Sequence, residues 1–370
     1  MGAKITEKDS LVPDVKRIAV FRARALGDMI VALPAFQALH AAYPQAEIVH
    51  FGHDWHKELY LGRVEGVNRS IEVPSPSQDL LIDGYVIDPE RQDAFFDQYQ
   101  AEDFDLGVQL HGGGEHSNEF ICRLNPRVSL GMKSNRASKL DRWIPYVYYQ
   151  NEIIRLLEVV GLVGAKISNA NLQPHLTILD SDRESAAPYI DKIDRPFIVV
   201  HPGSNDARRR WDPENFARVA DTLNEQFDVE IVLTGADSDA KEVMAVAQAM
   251  KTEPINLLDQ LDLSAFIGLL SQTRLYVGND SGPLHLALAS GTKAVGIFMA
   301  ENMNNFLPLY RSNFYPLIAW ERRCPLCGLV LDKAELDKKD PSPCAHQVSM
   351  VDSITPEDGI RAAELLLNLP

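Results

Sequence analysis

The chain has 370 residues, 45% of them apolar, which is enough for two domains with cores of their own. A formal charge of −16 excludes a general nucleic-acid binder, because that task needs a basic surface to displace counterions from phosphates. No run of about eighteen apolar residues could span a bilayer, and the polar start, with Glu7, Asp9 and Asp14, lacks the layout of a secretory signal, so a cytoplasmic protein is expected.

In chain order, residues 17–22 predict a short strand ending before a Gly-Asp turn, followed by a helix carrying Ile30, Leu33, Phe36 and Leu39 and a strand over 47–51. Strand, helix and strand in this space read as a βαβ unit. Residues 105–110 predict a buried strand that runs into Gly112, Gly113 and Gly114, and 143–161 predict a helix with Ile153, Leu156, Leu157 and Val160 on one face. Periodicity lapses over 166–182, which holds Pro174 and is the expected linker.

The second half repeats the pattern. Strands are expected over 196–201, 229–234, 255–257, 275–278 and, as the last, 294–298, with helices over 213–227, 240–250, 263–271 and 283–290 between them. Thr355, Pro356, Glu357 and Asp358 open a final helix running to 367. Alternating strands and helices predict an α/β protein with two Rossmann-like, doubly wound domains facing across a cleft. The expected domains are 1–175 and 176–350, with residues 351–370 forming a helix that packs back on the first.

Four strings carry chemistry. Gly27-Asp28 sits at a strand-to-helix junction, where Asp28 either caps the helix or serves as general base toward a sugar hydroxyl. His201-Pro202-Gly203-Ser204 leads into Arg208, Arg209 and Arg210. The Ser204 hydroxyl, guanidiniums and a following helix N-terminus suit a pyrophosphate, although a solvated basic turn has the same composition. Asp280-Ser281-Gly282-Pro283-Leu284-His285 is a polar turn between strand and helix that can ligate phosphate or sugar through its amides. Asp237 and Asp239 follow the strand 229–234, where a carboxylate can accept from a ribose or cap a helix.

In this order and at these separations, the strings resemble glycosyltransferase family 9, the ADP-heptose:lipopolysaccharide heptosyltransferases, along nearly the whole chain. The resemblance implies a GT-B fold with the acceptor on the N-terminal half and an ADP-sugar, typically ADP-L-glycero-D-manno-heptose, on the C-terminal half. It implies an inverting transfer to a lipopolysaccharide core or related glycan that needs no cofactor for its chemistry. Asp28 matches the family's proposed base. Arg209 stands where the family usually has a phosphate-binding lysine, and Arg210 precedes the matching tryptophan. Asp280, Ser281, Gly282, Pro283 and His285 match the donor-diphosphate loop, and Asp239 is a looser match near the ribose. His111, Gly112, Lys133 and Arg136 are the candidate acceptor contacts. Another nucleotide-sugar, a protein acceptor, or a non-catalytic nucleotide-sugar-binding subunit are the alternatives, and peripheral contact with the inner membrane is compatible with such acceptors.

Cys324, Cys327, Cys344 and His346 have a spacing that can hold structural zinc or iron, or they are free thiols on a surface loop. Many family members carry four cysteines here. Ser349 stands about where the last would be, so four cysteine ligands are not available here, and Cys3His with His346 is the set open to a metal beside the free-thiol alternative.

Overall fold

The computed structural model describes residues 10–74, 89–166, 172–331 and 344–369. The chain divides into two compact units, Met1–Thr177 and Ile178–Pro370. That division falls within the expected linker, of which residues 167–171 lie outside the described ones.

The first unit holds strands β1 (Arg17–Phe21), β2 (Glu47–Gly52), β3 (Val67–Glu72), β4 (Leu106–Gln109), β5 (Val128–Lys133) and β6 (Arg142–Pro145). They form one sheet in the order β3-β2-β1-β4-β5-β6, with every neighbouring pair parallel. Its helices are α1 (Leu26–Ile30), α2 (Leu33–Ala42), α3 (His56–Tyr60), α4 (Pro89–Gln100), α5 (Ser117–Arg123) and α6 (Glu152–Gly161). The run Ile18-Ala19-Val20-Phe21 is buried residue by residue, as a central strand covered on both faces requires. Phe21, Phe51, Phe95, Phe96, Phe104 and Phe120 fill the core on one side.

The second unit holds β7 (Phe197–His201), β8 (Glu230–Leu233), β9 (Ile255–Asn256), β10 (Leu275–Asn279), β11 (Ala294–Met299) and β12 (Phe314–Ala319). Its helices are α7 (Asp180–Ile190), α8 (Pro213–Phe227), α9 (Ala240–Ala249), α10 (Leu263–Leu270), α11 (Gly282–Ala289), α12 (Ala300–Phe306) and α13 (Pro356–Leu367). The parallel order β12-β11-β10-β7-β8-β9 is the same winding as in the first unit. Each unit is thus a six-stranded sheet wound outward in both directions from its first and fourth strands, the Rossmann order.

Several expectations are corrected. The helix after β1 is two helices, because Pro34, which lacks an N–H, sits in the opening turn of α2. Residues 142–145 form edge strand β6, where Pro145 is tolerated, and helix begins only after Asn151, whose side chain accepts from the Ile153 amide. The strand over 294–299 is not the last, since β12 adds to its outer side with Phe314 and Ala319 buried. Most of the charged segment 329–343 lies outside the described residues.

The C-terminal helix α13 packs in its own unit, against α8, β11 and β12. Its buried face is Gly359, Ala362, Ala363 and Leu366, and Gly359, with no side chain, lets the helix approach Trp211 and Val219 closely. Thr355 and Asp358 cap its start reciprocally, and the Trp211 indole donates to the Ile354 carbonyl at 2.9 Å. A Cβ on Gly359 would lie 2.9 Å from Val219 Cγ2 and 3.3 Å from the Trp211 ring. Gly359→Leu is therefore expected to cost about 1–3 kcal/mol of stability, read as a lower midpoint in urea unfolding. A midpoint equal to wild type would show that the helix does not dock this closely.

Candidate active site

In a doubly wound sheet the connections leaving the first and fourth strands depart to opposite faces, and ligands bind in the crevice between them. The first unit places two of the predicted strings there. The segment after β1 runs from Arg22 into the first turn of α1, which carries Asp28, and the loop after β4 carries His111 and Gly112.

Asp28 lies in the opening turn of α1, but no side chain caps that helix, so the capping role is not the one it fills. Its Oδ1 stands 3.4 Å from Arg24 Nε and 3.6 Å from Arg22 Nη2, and its side chain is 18% exposed. The nearby Asp28 carboxylate raises the pKa of the Arg24 guanidinium. Arg22 is buried. It donates through Nε to the Asp28 carbonyl at 2.8 Å and through Nη1 to the Leu110 carbonyl, and it lies 3.3 Å from Glu152 Oε1. The other oxygen of Glu152 accepts from Arg155, whose Nη2 donates to the carbonyls of Val147 and Tyr148. A buried carboxylate shared by two arginines therefore holds in place the guanidinium that flanks Asp28.

Of the candidate acceptor contacts, His111 is half-buried and its Nδ1 accepts from the Ala23 amide at 3.1 Å. Desolvation first, then Arg24 and Arg22, hold it well below the usual histidine range. Gly112 has a φ of +58° and open space where a side chain would stand. The loops of β4 and β5 are joined by Ser134 N donating to Gly113 O at 2.7 Å. Lys133 donates to the Ser134 carbonyl at 3.1 Å, and Arg136 is exposed.

In the second unit three strings converge at the ends of β7 and β10. Asn279 joins them, its Nδ2 donating to Pro202 O at 2.7 Å and its Oδ1 accepting from Trp211 N at 3.1 Å. Asp280 is almost wholly buried, with Asn302 Nδ2 donating to Oδ2 at 2.6 Å and His285 Nε2 3.6 Å from Oδ1. Burial alone would raise its pKa, but His285, Arg209 and Asn302 outweigh it and keep the carboxyl below the usual range. Ser281 occupies the N-cap position of α11 without capping it, followed by Gly282 and Pro283 at the helix start. The amides of that opening turn and the helix dipole favour an anion.

The three arginines have different commitments. Arg208 forms a two-point pair with Asp206 at 2.7 and 2.8 Å. Arg210 donates to Ser204 O at 2.8 Å and to Glu242 Oε1 at 2.7 Å. Arg209 donates to the Asp280 carbonyl at 3.0 Å, its carboxylate neighbours Asp206 and Asp280 are both 3.9 Å away, and its Nε has no hydrogen-bond partner among the described residues. Its charge is the least matched of the three. The Ser204 hydroxyl is likewise buried without a partner among the described residues. Asp239 lies against Gly203 and 3.8 Å from His201 Nε2, and its Oδ2 accepts from Ala236 N at 3.1 Å.

Cys324, Cys327, Cys344 and His346 come together with all four ligand atoms within 4.8 Å of one another. Cys324 Sγ is 3.4 Å from His346 Nδ1, Cys327 Sγ 3.6 Å from Cys344 Sγ, and Cys344 Sγ 3.7 Å from His346 Nδ1. A tetrahedral ion with sulfur ligands at about 2.3 Å and nitrogen at about 2.0–2.1 Å would space them about 3.5–3.8 Å apart, so the set fits. Burial pushes the Cys324 thiol up, but the amides of Cys327 and Leu326 and the neighbouring thiols outweigh it and bring it down to about 6.

Sequence reasoning missed Glu152, Arg22 and Asn302. Glu152 lies 130 positions from Arg22, so no local spacing could join them. Asn279, in contrast, stands inside a string already singled out.

Two Rossmann-like units with polar loops at their switch points define a GT-B-type α/β protein. The sequence pattern of glycosyltransferase family 9 (heptosyltransferase) matches residues 95–323, more than half of the chain, and the chain belongs to that family and is a glycosyltransferase. It is 22% identical over 316 residues to the lipopolysaccharide core heptosyltransferase OpsX of Haemophilus influenzae, covering 80% of this chain and 86% of the relative. Among solved structures, a family 9 glycosyltransferase from Veillonella parvula aligns with a TM-score of 0.75 at 20% identity, over 97% of this chain and 99% of that one. The ADP-heptose LPS heptosyltransferase II of E. coli aligns with a TM-score of 0.71 at 18% identity, over 95% and 98%. Among the described residues no helix is long and apolar enough to cross a membrane.

Buried neutral histidines give the protein a definite pH response. Burial pulls His50 down to about 4, so its folded pKa lies below the unfolded value of about 6.5. The unfolded chain then takes up protons first as pH falls: the contribution is complete above about 6.5 and is lost as pH drops toward 4. His50 alone should remove about 2 kcal/mol of stability between pH 6.5 and 5. Urea unfolding at the two pH values is the check, and a slope unchanged in His50→Gln would contradict the assignment.

Proposed function

We propose that this enzyme transfers a heptose from ADP-L-glycero-D-manno-heptose to a sugar hydroxyl of a lipopolysaccharide core or related glycan, with inversion and with Asp28 as general base. The observation that carries the reading is the convergence of the 201–210 and 279–285 loops on one sheet edge, around the weakly matched charge of Arg209. The names of the relatives, both heptosyltransferases of lipopolysaccharide assembly, support the sugar and the acceptor.

In this reading the acceptor oxygen attacks the anomeric carbon as its proton passes to Asp28. The bond from that carbon to the diphosphate oxygen breaks, and its electron pair leaves with ADP. One displacement inverts the configuration. Asp28 Oδ1 already faces two guanidiniums, so the second oxygen is the one to take the proton. Charge building on the diphosphate is met by Arg209, the Ser204 hydroxyl and the amides after Ser281, including Gly282. A planar fork takes the place of the family's lysine, which favours two-point contact with phosphate oxygens. Arg210 fixes the 204 turn in this scheme, Pro283 fixes the helix start, and Asp280 with His285 orients the loop toward the sugar. Asp239 serves the ribose, and His111, Gly112, Lys133 and Arg136 line the acceptor side.

Cys324, Cys327, Cys344 and His346 would hold one zinc or iron ion in this proposal. The ion supplies a structural cross-link and takes no part in the transfer. Elemental analysis of the purified protein is expected to find about one such ion per chain, falling severalfold in Cys344→Ser. Protein that is folded, active and free of both metals would end this assignment.

Asp28→Asn is expected to lower kcat by about 100- to 10,000-fold while donor KM stays near wild type. Arg209→Gln should instead weaken donor binding by about 10- to 100-fold. Turnover close to normal in Asp28→Asn would remove that residue from the base role. In a thermal-shift comparison, ADP and ADP-sugars should raise Tm above the levels given by GDP or UDP compounds. No response to any ADP compound would undercut the donor.

A further inference from the structure

The backbone just before Asp28 is held by imidazoles. His50, on β2, is fully buried, with Nε2 2.8 Å from the Arg22 carbonyl and Nδ1 2.8 Å from the Ser70 hydroxyl. His56, at the start of α3, is also buried, with Nε2 3.0 Å from the Arg24 carbonyl and Nδ1 3.0 Å from the His53 amide. A carbonyl oxygen can only accept, so in both rings Nε2 carries the proton and donates. Nδ1 is then the acceptor, from a hydroxyl in one ring and from an amide in the other. The amide between these two carbonyls, that of Ala23, donates to His111 Nδ1. Three consecutive residues, Arg22, Ala23 and Arg24, are thus each bound through one backbone group by a histidine.

A buried carbonyl needs a donor, and the choice of donor has electrical consequences here. Lysine or arginine would add charge beside the Arg22 and Arg24 guanidiniums, whereas a neutral imidazole gives the hydrogen bond without it. Burial keeps both rings neutral, holding His50 at about 4 and His56 at about 2. Gly52 completes the arrangement, because any Cβ there would fall on the rings of His50 and His56 and on the Arg22 carbonyl.

The held residues are the two whose side chains flank Asp28. Arg22 reaches its carbonyl through Nε at 2.8 Å and its carboxylate through Nη2 at 3.6 Å, and Arg24 Nε is 3.4 Å from the same Oδ1. We infer that His50 and His56 are positioning residues, which fix the backbone of Arg22 and Arg24 and thereby aim the Asp28 carboxylate at the acceptor hydroxyl. This rests on the reading of Asp28 as the base.

The test compares steady-state kinetics of His50→Leu, His50→Gln, His56→Leu and His56→Gln with wild type, using the ADP-sugar donor and glycan acceptor. Leucine keeps an apolar filling but loses the donor, while the glutamine amide can return an N–H to the place of Nε2. The leucine variants should lose about 10- to 100-fold in kcat with donor KM within about twofold, and glutamine should recover most of the loss. Folded leucine variants with wild-type kcat, glutamine variants as impaired as leucine, or a rise in donor KM that accounts for the loss would each overturn the inference. If leucine prevents folding, nitrogen-15 spectra of the wild-type rings decide: both must be neutral and Nε2-protonated from pH 8 to 6, and an Nδ1-protonated or charged ring refutes it. Asp28→Asn is run alongside. Turnover surviving that change sinks the base reading, whereas its collapse beside intact leucine variants sinks the positioning role alone.

Discussion

Winding order governs where this protein can do chemistry. A parallel sheet must send its connections over one face or the other, and at β1 and β4, and again at β7 and β10, the direction reverses. Between diverging connections the strand ends are left uncovered, with their loops brought side by side. Residues far apart in the chain then share a few ångströms, as Asn279 does when it binds both the Pro202 carbonyl and the Trp211 amide. The apolar strands behind these loops, such as Ile198-Val199-Val200, give them a fixed base.

Charge is distributed over this frame with little surplus. In a chain carrying −16, most cations near the sites are matched: Arg208 by Asp206, Arg210 by Glu242, and Arg22 and Arg155 together by Glu152. Such pairs are weak contributors to stability when exposed, but when buried they cannot lose one partner without leaving a costly bare charge. The matching therefore acts as orientation. It holds Arg22 against Asp28 and leaves Arg209 with the longest carboxylate contacts of the three arginines, 3.9 Å to both Asp206 and Asp280.

Much of this was legible in the amino-acid order. Central strands show as unbroken apolar runs, and α8 is expected from its apolar spacing over 213–227, where Asp212 caps the start and Pro213 pre-sets the first φ. Edge elements were less visible: β6 and β12 carry Pro145 and Pro316 and pair on one side only, so their sequences look irregular. Within the candidate site, turns rich in Gly, Ser and Asp could be found by eye. The supports could not, since Glu152, His50 and Asn302 act through distance in space, and a histidine or glutamate inside an apolar stretch gives no sign of what it will bind. Amphipathic spacing likewise reveals that a face of the C-terminal helix is buried and says nothing of the surface that buries it, which within its own unit is α8, β11 and β12.

Cys324 and Cys344 belong to the same apolar cluster as β10, β11 and α13, together with Leu331, Met350 and Val351. The thiol lobe is thus continuous with the wall behind the 279–282 loop. Any chemistry at the sulfurs, whether oxidation, alkylation or a change of ligand, alters the volume and polarity of that shared interior. The redox state of the thiols then becomes a variable of the sheet itself, and its consequence is read first in the stability of that unit. Reductant and chelator belong among the controlled conditions of any affinity measured on this chain.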